Sequence, residues 1–205
     1  IKTGTGDATA TLSGTITLSV NSDTFATDPS VQFSTGGRTV SFTISANSTQ
    51  AVFSNGATTI KLQTGSVASN MTITPSFALH TGYSLTPDSP GTLSLSVAPS
   101  APRLISLQLG ARSTNSFTLL VTGYATTSSL KQMDLQFTLA PYANVNLAST
   151  RFTLSLDPTF DLWYKSGTSQ LYGSLFTASV PFSALLSSSD ISNPVGLIQS
   201  VSVTI

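Results

Sequence analysis

Cysteine and glutamate are absent from the 205 residues, histidine occurs once, and Lys and Arg together number eight. Without cysteine there is no disulfide framework and no thiolate metal site. Eight aspartates balance the basic residues, so the net charge is zero, and the four Lys and four Arg are scattered rather than clustered. That distribution gives no electrostatic basis for binding nucleic acid or an anionic membrane surface. No apolar run approaches the length of a membrane span, and no signal-peptide pattern is present. The chain opens at Ile1 rather than Met. We expect a processed product or an excised segment that has lost any targeting sequence.

About one residue in three is serine or threonine, while 40% of the chain is apolar. Over long stretches the two kinds alternate, as in Leu12, Ile16, Leu18, Val20 and in Val40, Phe42, Ile44. Period-two alternation marks strands with one face in a core and one in water. The missing Glu, scarce Lys and Arg, and abundant β-branched residues disfavour helix. The apolar content suffices for an ordinary core, so disorder is not expected. This composition points to an all-β, exported surface protein rather than a cytosolic enzyme.

The clearest boundary is APSAPR, where Pro99 and Pro102 sit among small residues between two alternating runs, GTLSLSV and RLISLQL. Proline fixes φ and withholds a donor, which makes a semi-rigid link. The expected organisation is therefore a β-sandwich over residues 1–98, a linker over 99–103 and a second β-sandwich over 104–205, with about seven strands each. In the first half, strands are expected near Ala10–Val20, Val31–Phe33, Thr39–Ser45, Gln50–Phe53, Thr58–Gln63, Met71–Leu79 and Thr92–Val97. Gly36-Gly37 and Asn55-Gly56 suit tight turns. Pro75, inside a strand-like run, predicts an edge or a bulge. In the second half, SFTLLVTG, KQMDLQFTLA, TRFTLSLD, SLFTASVPF and GLIQSVSVTI read as strands. SALLSSSDIS reads as a loop or a short helical turn.

The strings TDPSVQFSTGGRTVSFTISANSTQAVF and LQTGSVASNMTITPSF resemble a module of large bacterial surface and secreted proteins with tandem immunoglobulin-like (Ig-like) domains. SFTLLVTGYATTSSLKQMDLQFTLAP and SLDPTFDLWYKSGTSQLYGSLFTASVPF resemble a second module of the same kind. The resemblance spans nearly the whole chain and rests on turn glycines, alternating strands and the Trp-Tyr segment. It implies two tandem Ig-like sandwiches in an extracellular setting, and it brings no catalytic residues with it.

Catalytic candidates are few. His80 lies beside a Gly-Tyr turn with no nucleophile motif nearby, which suits a loop histidine better than a member of a catalytic triad. Asp157 and Asp161 supply too few ligands for a calcium loop, and we expect Asp157 to start a turn with Pro158 and Asp161 to cap the next element. Neither a metal nor a cofactor is expected. Trp163, Tyr164 and Tyr172 form the one aromatic-dense group, either a core anchor or a platform for stacking sugar rings. Asn47 and Asn70 satisfy the N-glycosylation sequon, and the hydroxyl-rich surface suits O-linked sugars.

Both ends carry alternating apolar residues: Ile16 and Leu18 near one, Val201, Val203 and Ile205 at the other. Such strands need partners. The expected partners are head-to-tail copies of this chain, exchanging strands by β-augmentation with the N-terminal segment as donor, or further Ig-like modules of the same chain. The reading is a non-enzymatic stalk module or filament subunit, structural or adhesive. The alternatives are a carbohydrate-binding module and an accessory domain of a larger secreted enzyme.

Overall fold

The computed structural model describes residues 9–22, 28–141, 143, 149–183 and 193–205. Among these residues there are thirteen strands, one α-helix and two short 3-10 turns, and every strand pair is antiparallel. The all-β class is correct. No helix among the described residues is long and apolar enough to cross a membrane. The chain divides into two compact units, with the change at Ala98 and Pro99.

The first unit holds β1 (Leu12–Ser22), β2 (Gln32–Phe33), β3 (Thr39–Ile44), β4 (Val52–Phe53), β5 (Leu62–Gln63), β6 (Ser69–Leu79) and β7 (Leu93–Val97). Five of them form a sheet in the order β4-β3-β1-β6-β7, and β2 pairs with β5 separately. The alternation decides which face is buried. Ile16, Leu18, Val40, Phe42, Ile44 and Met71 turn to a core shared with Val31 and Phe33, while Ser41 and Thr43 face out. On β1 and β6 the hydroxyls of Thr15 and Ser76 meet at 2.7 Å.

Two residues in this sheet have specific packing reasons. Gly14 lies where the Phe42 ring and the Ser76 carbonyl pass too close to admit a Cβ. Pro75 pairs with Ile16 of β1, whereas the β6–β7 ladder ends at Ile73 and Leu93. Pro75 therefore sits beyond the β7 ladder, where its missing N–H breaks no rung, as expected of strand proline.

The second unit holds β8 (Arg103–Arg112), β9 (Ser116–Tyr124), β10 (Gln132–Leu139), β11 (Arg151–Ser155), α1 (Asp157–Tyr164), β12 (Leu175–Ser183) and β13 (Ile198–Thr204). They make two three-stranded sheets, β12-β9-β8 and β11-β10-β13. Phe117, Leu119 and Val121 of β9 pack with Met133, Leu135 and Phe137 of β10 in a sandwich-like core. Phe182 of β12 stacks on Phe117 at 5.1 Å and meets Phe137 edge-on at 5.2 Å. The strand-like runs of the second half all appear as strands, six among the described residues rather than about seven. Ser100 is bound within this unit: its N–H donates to Thr126 Oγ1 at 2.8 Å and its carbonyl accepts from the same hydroxyl at 3.1 Å.

The segment DPTFDLWY is a helix, not the expected turn. Proline in a first helical turn has no N–H to leave unbonded, and Asp157 complements the positive end of the helix dipole. The four-residue spacing then puts Phe160 and Tyr164 together in the core with Ala125, Leu130 and Phe176. Asp161 lies inside this helix, and Thr168 rather than Asp161 holds the N-cap of the next element; the Asp161 carboxylate accepts from Lys165 Nζ at 2.7 Å, one helical turn on. Of SALLSSSDIS, residues 184–192 lie outside the described residues.

Candidate functional site

Two features of the second unit are candidates: an aromatic cleft beside α1 and an open pair of strand edges. The cleft follows from the helix. With Phe160 and Tyr164 directed into the core, Trp163 lies on another side of the helix and is half-buried. A 3-10 turn, Ser169–Leu171, brings the chain back, fastened by the buried Ser169 hydroxyl, which donates to the carbonyls of Tyr164 at 3.0 Å and Ser166 at 2.9 Å. The turn delivers Tyr172 against Trp163, with ring centroids 6.5 Å apart and planes 24° apart.

Trp163 and Tyr172 line a cleft of about 410 Å³ together with Thr122, Thr168, Leu175 and Thr177. Thr122 of β9 and Thr177 of β12 are cross-strand neighbours whose hydroxyls meet at 3.1 Å. Tyr172 is 53% exposed. The indole N–H of Trp163 is buried and meets no acceptor among the described residues. Tyr164 corrects the expected aromatic triple. It is 2% exposed, and its hydroxyl donates to the Ser174 carbonyl at 2.9 Å. Burial pushes its phenol well above the usual tyrosine range. A ring with both faces in the core has none to offer a ligand. Thr122 and Thr177 had no sequence signal, because only the β9–β12 register makes them neighbours.

The second candidate is the open side of the sandwich. Among the described residues β8 is bonded on one side to β9 and β13 on one side to β10, so each ends its sheet. Between them runs a groove of about 340 Å³, lined by Leu107, Leu109, Phe117, Leu119, Val195 and Val201 among others. Leu107 and Leu109 pair with Val121 and Leu119, which face the core, yet they are 39% and 56% exposed. Val201, Val203 and Ile205 are half-buried and pack against that core. A comparable row lies on β7 of the first unit, where Leu93 and Leu95 pair with Ile73 and Met71 but stay open to solvent.

The other expected residues are placed apart from these features. Ile16 and Leu18 are 7% and 3% exposed in the core of the first unit. Their strand is paired on both sides, to β3 and β6, in the middle of the sheet. The anchors expected of an N-terminal donor strand are thus held in the first unit's own sheet, and withdrawing β1 would open its core; residues 1–8 lie outside the described residues. Asn47 is exposed in the turn after β3, at a φ of 60°. Asn70 is exposed on β6 between Asn21 and Ser96. His80 is an exposed turn residue whose backbone N–H donates to the Thr11 carbonyl at 3.3 Å.

Asp28 is the one buried carboxylate among the described residues. Burial alone would raise it, but the N–H groups of Ser66 and Ser30 and the Ser66 hydroxyl outweigh burial and hold it below the usual carboxylate range. It joins the Ser30 and Ser66 loops and serves the fold. Among the described residues no three His, Cys, Asp or Glu gather to hold a metal ion. No protein-family profile, curated protein or solved structure matches this chain.

Proposed function

We propose that this chain is a pair of Ig-like modules from an exported, non-enzymatic bacterial surface protein, structural or adhesive, which joins its neighbours by strand addition. The open side of the second unit carries the reading. On the immunoglobulin reading, β8-β9-β12 against β11-β10-β13 would take the places of strands A-B-E against C′-C-F, and the edge of β13 that is unpaired among the described residues would be where strand G pairs. A strand added there lays alternate side chains over Phe117, Leu119 and Val195, covers Leu107 and Leu109, and bonds the open edge of β13. Val201, Val203 and Ile205 act from the receiving side.

The groove mixes apolar side chains with Gln108, Gln199 and Ser200, and Arg112 is its one charged lining residue, so a donor that alternates apolar and polar side chains suits it. Alternating apolar and hydroxyl residues, of which this chain is largely made, have that character. The donor is therefore a strand of a like module, from another copy or from the same polypeptide. Contacts of this head-to-tail kind do not close and produce length. The outward hydroxyls and the exposed Asn47 and Asn70 suit a sugar coat that keeps a charge-poor surface of zero net charge soluble.

Light scattering and negative-stain microscopy of the full chain, from low micromolar to near-millimolar concentration, and microscopy of native material test this. Regular end-to-end assemblies, lost when Leu109 is replaced by lysine, support the reading. A chain that stays monomeric throughout and forms no linear arrays in native material overturns it.

A further inference from the structure

We infer that the cleft lined by Trp163 and Tyr172 binds the apolar face of a neutral hexopyranose ring. Its volume, about 410 Å³, falls in the range of small-ligand sites, roughly 300–1,000 Å³. The lining has the two parts a sugar needs. The rings of Trp163 and Tyr172 stack with centroids 6.5 Å apart, too close to take a sugar between them, and the ring surface they turn to the cleft meets the C–H bonds on one side of a pyranose. The hydroxyls of Thr122, Thr168 and Thr177 offer donors and acceptors to its rim. Thr122 and Thr177 share one hydrogen bond, which leaves one hydroxyl proton and several lone pairs for a ligand.

Charge narrows the class. No Asp, Lys, Arg or His lines the cleft, so nothing there compensates an acidic or amino sugar, and burying such a charge without a partner is costly. The indole adds a second argument. Its N–H is buried without an acceptor among the described residues, a cost that phenylalanine at this position would avoid. Part of the indole packs against the Phe160 and Tyr164 core, and the rest lines the cleft as a wide stacking surface. A protein partner would instead engage the exposed Leu162 and Leu171, which lie near the cleft in sequence but outside its lining.

Trp163 is the only tryptophan, so its emission reports directly on the cleft. The full chain is titrated with malto-, cello- and β-galacto-oligosaccharides, alongside oligogalacturonates as the charged counterpart. The expected result is a saturable emission change with at least one neutral series and weaker binding of the oligogalacturonates. Tyr172→Ala should weaken the response by about tenfold or more with an unchanged melting temperature, since Tyr172 is half outside. Calorimetry on Trp163→Phe should show a parallel loss, while Leu171→Ser should bind as the parent does. An emission unmoved by all three neutral series overturns the proposal, as does binding that survives Tyr172→Ala. A response to cyclohexanol equal to that for any sugar overturns it too, by making the cleft merely apolar. None of these results bears on strand addition at β8 and β13, which is tested separately.

Discussion

Tyr164 donates its hydroxyl to the Ser174 carbonyl at 2.9 Å, and the Ala125 N–H donates to the same oxygen at 3.0 Å. The acceptor therefore keeps a partner when the phenol is lost. Tyr164→Phe should cost only about 1 kcal/mol, whereas Tyr164→Ala empties a core position and should cost about 3–5 kcal/mol. Denaturant unfolding measures both. Because burial raises the folded phenol above its unfolded value, the stability it protects is fully present below about pH 10. That stability is lost as pH climbs from there toward the folded value. Tyr164→Phe should flatten this alkaline limb, and a limb left unchanged would place the titrating group elsewhere.

Asp28 gives the opposite dependence. Its folded carboxyl lies below the ordinary value because the Ser66 and Ser30 hydrogen bonds overcome burial. Its contribution is fully present above the unfolded value of about 4 and is lost as pH falls through the folded one. Asp28→Asn should cost about 1–3 kcal/mol at neutral pH and shrink the acid loss of stability in the first unit. Stability curves measured from neutral to strongly acidic pH, with and without the substitution, check this.

Gly14→Ala forces a methyl group against the Phe42 ring and the Ser76 carbonyl. A strand residue should gain from losing glycine, but overpacking costs about 1–3 kcal/mol and decides the sign. Pairing the change with Phe42→Leu should recover part of the loss, a non-additivity expected of residues in contact. A purely additive double mutant would show that the ring is not the obstacle.

Leu109→Lys tests the open edge without touching a buried side chain. Leu109 is 56% exposed, and a charge on an edge strand discourages pairing with another strand. The melting temperature should stay within a degree or two of the parent, since exposed substitutions usually change stability by about 0.5 kcal/mol or less. Self-association, followed by sedimentation, should disappear. A large fall in melting temperature would mean that β8 is already covered.

Strands were legible wherever apolar and hydroxyl residues alternate, because side chains of a strand point to opposite faces in turn. Thr39–Ile44 and Leu93–Val97 illustrate this. The helix at Asp157–Tyr164 was not legible. Eight residues barely register against a composition that disfavours helix, and Asp-Pro reads equally as a turn or a helix start. Trp163 and Tyr172 could be named from the sequence as an aromatic group. The exclusion of Tyr164 could not, since it follows from the helical rotation that places Phe160 and Tyr164 on the core side.

By itself the sequence determined that this is a charge-poor, hydroxyl-faced, all-β chain, since period-two patterning and missing helix formers act locally along the backbone. Only the tertiary structure decided which strands are central and which are open. Sheet order depends on non-local pairing, which no local pattern encodes. It enclosed β1 between β3 and β6, left β8 and β13 with one neighbour each among the described residues, and brought Thr122 and Thr177 together beside the two rings.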